Sequence, residues 1–329
     1  MDDVGETPVS REPDNLDWGR WRDWAQLVRL PNVFTVLSDS MAAVLITGTT
    51  VGPSTMVLVI LASVLAYWAG MIWNDVNDLE EDRQARATRP LAAGRISPVV
   101  ARHVGNGCLL VAPILILFAT QLVESRQLWM GLSFVAAVLL VGCVRAYNSP
   151  LKSTLIGPLF MGACRGLNIL MVGLTSLSVG NAEPDAELLL WLALGIGIYI
   201  VGVTVFARRE ERDSSQAGLM LGLSLEMIGM AIIAALPMLA DQQRVWKIDP
   251  QKAYLLLLGL IAVTVINRGV SAVLHPVSRK VQLAVKHAIL TLILLDACVA
   301  ALCGGPWYGA AVAILLVPAI TAGQWFRST

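Results

Sequence analysis

The chain is a succession of apolar runs, each about 20 residues long, separated by short connections that carry most of the charge. A helix needs roughly 20 apolar residues to cross the hydrocarbon core of a bilayer. The runs fall near residues 31–50, 55–77, 98–120, 127–146, 154–179, 187–207, 216–240, 252–274, 283–303 and 307–325, the last interrupted by Gly304, Gly305, Pro306 and Pro318. In lipid each backbone polar group must be satisfied internally, which a helix does within one segment. The expected fold class is therefore all-α, a polytopic transmembrane bundle of nine helices, or ten if the last run also crosses. Hydrophobic residues make up 56% of the 329 residues and charged residues only 15%, against about 25% charged in soluble domains. That balance excludes a soluble globular enzyme, a disordered chain and a nucleic-acid binder. The runs are also too long, and too little alternating, for the strands of a membrane barrel.

The net charge is zero, with 24 basic and 24 acidic residues, so orientation has to come from where the charges sit. With the N-terminus taken as cytoplasmic, nineteen of the 24 lysines and arginines fall on that side, including Arg83, Arg86, Arg89, Lys152, Arg208 and Arg209. Four fall on the other side (Arg126, Arg244, Lys247 and Lys252), and Arg165 lies inside a run. Positive residues favour cytoplasmic loops, so the N-terminus is expected in the cytoplasm of a multi-pass inner-membrane protein. Residues 1–30 read as a cytoplasmic or interfacial tail, with Trp18, Trp21 and Trp24 beside arginines, and 31–326 as a single membrane domain. The first 15 residues lack the basic and apolar regions of a cleaved signal peptide, so the first helix is expected to direct insertion. Five cysteines without metal-ligand spacing read as buried thiols.

The chemistry concentrates in Trp73 to Ser97, W-N-D-V-N-D-L-E-E-D-R-Q-A-R-A-T-R-P-L-A-A-G-R-I-S. Asn74, Asp78 and Asp82 are spaced i, i+4, i+8 and form one stripe about 12 Å long on a helix. Asp75 and Glu81 fall close to it. Carboxylates crowded on one face repel each other and would repel an anionic substrate. A hard divalent cation relieves both, and Mg²⁺ commonly bridges one or two carboxylates to phosphates. Arg83, Arg86 and Arg89 follow and could hold further phosphate oxygens. The alternative reading is a helix end whose charges are merely solvated. An EF-hand-type calcium loop fits poorly, because no glycine occupies the turn position.

The pattern N-D-x-x-D-x-x-x-D followed by R-x-x-R-P-L-x-x-G-x-I-S resembles the UbiA superfamily of intramembrane prenyltransferases. Leu27 to Thr35 (L-V-R-L-P-N-V-F-T) looks like that family's entry into its first helix, and Tyr147 to Lys152 (Y-N-S-P-L-K) resembles its Tyr…Lys element. The resemblance implies transfer of a prenyl group from a prenyl diphosphate to a hydrophobic or aromatic acceptor, with Mg²⁺ holding the diphosphate between two Asp-rich motifs. Asn74, Asp78 and Asp82 match the first motif. Arg89, Tyr147 and Lys152 match the catalytic surroundings. The second motif departs from the family pattern. Thr204 to Gln216 reads T-V-F-A-R-R-E-E-R-D-S-S-Q, with no D-x-x-x-D, and an R-x-E motif of this kind looks like the UbiA-like proteins of Ebo gene clusters. Either Glu210 or Glu211 still binds a metal there, or Arg208 and Arg209 take over its charge, or the site binds lipid phosphates without turnover. The last option corresponds to a carrier or transporter component on the same fold.

Asp39, Arg165, Glu226 and Asp296 lie within apolar runs, where a charge is costly unless paired or facing a wet cavity. For Arg165 the two readings are a place in the active cavity and a pair with Asp39. Glycines at 162, 166, 195 and 197 read as close helix contacts. Cysteine labelling of intact membranes checks the orientation. Cysteines at Arg86 and Arg209 should label from one side and a cysteine in 181–187 from the other; labelling of both sets from one side refutes the topology.

Overall fold

A computed structural model describes residues 17–121, 126–180, 185–208, 215–241 and 243–326, and among these all regular secondary structure is helical. A short helix α1 (Trp21–Leu27) precedes α2 (Leu30–Ile46), α3 (Pro53–Asn77) and the short α4 (Leu79–Ala85). Then come α5 (Pro98–Gln121), α6 (Gln127–Tyr147), α7 (Gly157–Val179), α8 (Ala186–Ala207) and α9 (Gln216–Leu239). The last elements are α10 (Ala253–Leu274), α11 (Ser278–Gly304), α12 (Pro306–Ala313) and α13 (Leu316–Trp325). Among the described residues nine helical stretches are long and apolar enough to span a membrane, with α12 and α13 taken together as one, and the 17-residue α2 is a shorter apolar helix beside them. The protein is thus a polytopic membrane bundle. Side chains such as Leu110, Phe118, Leu190 and Leu256 stay exposed on its outer faces, as suits contact with acyl chains rather than water.

Helices adjacent in sequence pack as neighbours, and α11 returns against α2, so the bundle closes into a ring. Close approach comes from glycine. A Cβ on Gly229 of α9 would lie 2.6 Å from the carbonyl oxygen of Gly195 on α8, and one on Gly162 of α7 would lie 2.5 Å from that of Gly197. Small residues let helix backbones meet in lipid, where the hydrophobic effect drives little association. At the end remote from α1, Arg244 donates to the Ile46 carbonyl at the end of α2 (2.6 Å), pairs with Asp185 at the start of α8, and stacks over Trp246 at 4.9 Å. The break between α12 and α13 does not stop the chain from returning: Phe326 packs edge-on against Trp21 with ring centres 5.8 Å apart. Both ends of the described chain therefore lie on one face.

That face carries a second, smaller apolar cluster. Leu27 and Val28 from the N-terminal segment, Ile72 and Val76 from α3, and Leu91 and Ile96 from the 86–97 connection are all buried together. Arg95 locks this assembly with a 2.6 Å ion pair to Asp23, and the Ser97 amide donates to the Asp17 carbonyl. Gly94 adopts φ +69, a left-handed turn that glycine enters without strain.

Gly229→Val should lower the thermal unfolding midpoint in detergent by the equivalent of roughly 1–3 kcal/mol, the usual cost of overpacking. Gly259→Ala, where an added Cβ meets nothing within 4 Å, should leave the midpoint unchanged or raise it.

Candidate functional site

The polar stripe survives a change of helix. The helix α3 ends at Asn77 and α4 starts at Leu79, yet the amides of Asp78, Asp82 and Arg86 still bond the carbonyls four residues back, at 3.0, 2.8 and 2.8 Å. Asn74, Asp78 and Asp82 therefore stack on one side, as helical periodicity requires. Asn74 Nδ2 donates to Asp78 Oδ2 at 3.2 Å and to Asp75 Oδ1 at 3.4 Å. Asn74, Asp75 and Asp82 are buried, whereas Glu80 and Glu81 face solvent.

Each buried carboxylate meets cations from distant parts of the chain. Arg89 Nη1 donates to Asp82 Oδ2 at 2.7 Å and lies 3.5 Å from Asp75 Oδ1. Arg86 adds a contact of 3.6 Å to Asp82. Arg29, at the junction of α1 and α2, reaches Asp75 at 3.5 Å. Lys152 Nζ pairs with Asp78 and donates to Asn74 Oδ1 at 2.9 Å. Burial pushes the Asp82 carboxyl above the usual carboxylate range, and the Arg89 hydrogen bond and charge pull it back in part.

The local folds that aim these cations are specific. Arg89 is held by the buried anchors Leu91 and Ile96 that follow it. Lys152 rides on a short 3-10 turn, Pro150–Ser153, after α6. That turn is fastened by Asn148, whose Nδ2 donates to the Val144 and Gly70 carbonyls at 3.0 and 3.2 Å, and whose own carbonyl accepts from Asn77. Arg208 closes its far side by donating to the Ser153 carbonyl at 3.1 Å and to that of Thr154. Tyr147, at the end of α6, lies within electrostatic reach of Arg29 and Asp78. Arg29 itself has φ +48 and ψ +58, uncommon for a residue with a Cβ. Its carbonyl accepts from the Tyr67 hydroxyl at 3.3 Å and the Asn32 amide at 2.9 Å.

Of the residues singled out from sequence, the structure brings together Asn74, Asp78, Asp82, Arg86, Arg89 and Lys152, with Tyr147 nearby. Arg83 instead pairs with Glu80 at 3.1 Å, both exposed, and Arg208 is spent on backbone carbonyls. Arg209 and Glu210 lie outside the described residues, as does the rest of 209–214. Arg165 pairs with Asp39 (Nε to Oδ2, 3.0 Å) and donates to Thr35. Two contributors were not assigned a role from sequence. Asp75 sits at the centre of the network, and Arg29 was available only as a letter in L-V-R-L-P-N.

Among the described residues no three His, Cys, Asp or Glu side chains converge as a complete metal cage. The oxygen donors nevertheless fit Mg²⁺, which usually takes one or two carboxylates and completes its shell with water and phosphate. The Lys152 ammonium shows that the Asn74 and Asp78 oxygens already converge on a single cation.

A model of the UbiA prenyltransferase family matches residues 33–274. No curated protein sequence matches the chain. Among solved structures, one described for digeranylgeranylglyceryl phosphate synthase superposes with a TM-score of 0.59 at 17% identity, covering 91% of this chain and 98% of that one. The apo UbiA homolog from Aeropyrum pernix K1 gives 0.59 at 16% identity over 89% and 98% of the two chains. A UbiA homolog from Archaeoglobus fulgidus bound to GPP and Mg²⁺ gives 0.54 at 16% over 88% and 99%. At these identities the likeness establishes the fold.

Arg89→Met should destabilise the protein by about 3 kcal/mol, because it leaves Asp82 buried without its closest cation. Adding Asp82→Asn should recover much of that loss. Thermal unfolding of both variants checks the pair, and equal losses in the single and double variants would mean that the contact contributes nothing.

Proposed function

The chain belongs to the UbiA prenyltransferase family, and from that premise we propose that it transfers a prenyl group from a prenyl diphosphate to a hydrophobic or aromatic acceptor within the membrane. The observation that supports this most directly is the stacked Asn74–Asp78–Asp82 stripe, ringed by Arg29, Arg86, Arg89 and Lys152. Carboxylates alone would repel a diphosphate, and cations alone would bind any anion. Interleaved, they suit a diphosphate that arrives with a divalent metal. Asn74, Asp78 and Asp82 would hold Mg²⁺, whose charge helps the diphosphate leave.

The chain's own residues do the rest. Arg86, Arg89 and Lys152 are held in place before the substrate arrives, so charge developing on the leaving oxygen meets donors that need little reorganisation. Tyr147, at the end of α6, is a further polar side chain close to Arg29 and Asp78. Ionisation of the allylic carbon–oxygen bond leaves a carbocation that water would quench. The apolar bundle below the stripe keeps water away until the acceptor attacks. The acceptor then loses a proton, and a prenylated product and diphosphate remain.

Asp78→Ala and Asp82→Ala should abolish Mg²⁺-dependent diphosphate binding, measured by calorimetry in detergent, while the protein stays folded. Unchanged affinity in both variants removes the metal-site assignment. Incubation with Mg²⁺ and labelled prenyl diphosphates of graded length then separates an enzyme from a carrier, since a carrier binds without releasing diphosphate. For the second motif, Arg209→Ala should cost more than Glu210→Ala if guanidinium charge has replaced a second metal, because a charge-assisted bond to phosphate is lost. The reverse order assigns Glu210 as a ligand.

A further inference from the structure

Acidic residues are missing from the whole stretch between Asp249 and Asp296, which includes all of α10 and most of α11. The corner between these helices nevertheless carries Arg268, Arg279, Lys280 and Lys286, with His275 and His287 beside them. It lies on the same face of the bundle as the carboxylate stripe. The other end of α11 belongs to the remote face, where the Leu302 carbonyl accepts from the Lys247 amide at 2.9 Å. Among the described residues none of the four lysines and arginines at the corner forms an ion pair. Arg29, Arg86, Arg89 and Lys152 at the stripe each have a carboxylate.

Two of these groups sit inside the spans. At 1.5 Å per residue, Arg268 lies about 9 Å inside the end of α10 at Leu274, and His287 about 14 Å inside the start of α11 at Ser278. His287 Nε2 meets the Thr264 hydroxyl across the helix pair at 3.0 Å, and Arg268 stands within electrostatic reach of the same imidazole. Lys280, seven positions before His287 and about 20° around α11, continues that line toward the surface. Arg268, Thr264 and Asn267 are exposed among Val263, Ile266 and Val270, side chains that face acyl chains. A charge within a span normally turns to the bundle interior or pairs with a neighbour. Arg268 does neither, and its long stem lets the guanidinium rise toward headgroup level.

We propose that the seam between α10 and α11 binds an anionic phospholipid from the leaflet on the stripe's side of the membrane. Arg268 and Lys280 contact its phosphate, and the His287–Thr264 pair forms the polar floor beneath. Further in, Ile261 and Leu257 continue the line of Arg268 along α10, seven and eleven positions back and within about 20°, so an acyl chain can follow them. Basic pockets between membrane helices recognise anionic headgroups in this way. A second copy of the chain fits less well, since a two-fold contact would set this basic face against itself. A soluble anion would have to shed its water to reach Arg268 among apolar side chains. The proposal does not depend on the prenyl-transfer reading.

Native mass spectrometry of the full chain in detergent counts bound lipids and gives apparent affinities. The probes are dioleoylphosphatidylglycerol and dioleoylphosphatidylcholine, which share their chains and differ in headgroup charge. The anionic lipid should bind about tenfold or more tightly at low salt, and one basic residue near an anionic lipid corresponds to roughly fivefold in affinity. Arg268→Gln should therefore weaken the preference about fivefold, and Arg268→Gln/Lys280→Gln should bring the two lipids within about twofold. Arg102→Gln is the control, because it removes the same charge from an exposed side chain near the start of α5 on the same face. It should leave the preference intact. Equal binding of the two lipids by the unaltered protein overturns the site. So does an equal loss in Arg102→Gln and Arg268→Gln, which would assign the preference to diffuse charge. Inorganic phosphate at the lipid's own concentration should not displace it, and displacement would assign the corner to a soluble anion instead. Asn267→Cys, exposed on the same face, tests for a protein occupant: disulfide-linked dimers formed in membranes would assign the seam to a second copy and overturn the lipid site.

Discussion

Three carboxylates sit at the mouth of a membrane bundle, Asp75 and Asp82 buried and Asp78 half-buried, where like charges stand one helical turn apart. Burying a charge without a partner costs several kcal/mol, so this stripe could not persist alone. The surrounding structure supplies partners from three separate segments. Arg29 comes from the junction of α1 and α2, Arg86 and Arg89 from the connection after α4, and Lys152 from the turn after α6. The segments between the membrane helices are therefore not free linkers. Each places a cation, and each has its own fastening.

Those fastenings are apolar as much as polar. Leu91 and Ile96 enter a cluster with Leu27, Val28, Ile72 and Val76. Burying side chains of that size contributes about 1.5–3 kcal/mol each, more than an exposed ion pair would. Arg89 can therefore hold a fixed position close to the water interface. The 3-10 turn that carries Lys152 has a different device, the amide of Asn148 bonded to two backbone carbonyls. In both cases the position of the cation depends on neighbours that touch no carboxylate.

The same distinction decides what could be read from the sequence. Runs of apolar residues and a stripe at i, i+4, i+8 are periodic, and periodicity follows from the helix itself, so the membrane helices and Asn74, Asp78 and Asp82 were legible. Lys152 was legible through the resemblance of Y-N-S-P-L-K. The choice among Arg83, Arg86 and Arg89 was not, because the chain leaves the helix after Ala85 and no fixed period continues beyond it. Asp75 and Glu81 both flank the stripe in angle, and only the packing of Ile72 and Val76 into the second cluster shows which of the two faces inward. Arg29 was hidden for another reason. It reaches Asp75, 46 residues away, from a left-handed backbone conformation that no local pattern announces. The intramembrane charges were legible as charges in need of partners, and the pair of Arg165 with Asp39 was one of two readings open to the sequence. That Arg268 faces outward within α10 needed coordinates.

The electrostatic arrangement of the face constrains how it can receive an anion. The three carboxylates touch four cationic side chains, so the cradle carries a net positive charge before any ligand arrives. Its cations are partly withdrawn from water and already oriented by the carboxylates they pair with. An incoming phosphate then exchanges one set of acceptors for another, and does not have to recruit flexible side chains from water. That lowers the ordering cost which usually offsets charge-assisted binding. The carboxylates thus have two physical roles, as donor oxygens for a cation and as templates that keep arginine and lysine in place. Removing one of them disturbs both roles together, whereas removing a cation disturbs only the second. A deeper cation such as Arg165, templated by Asp39, extends the same principle to the part of the bundle where no metal or solvent is needed to hold the charge.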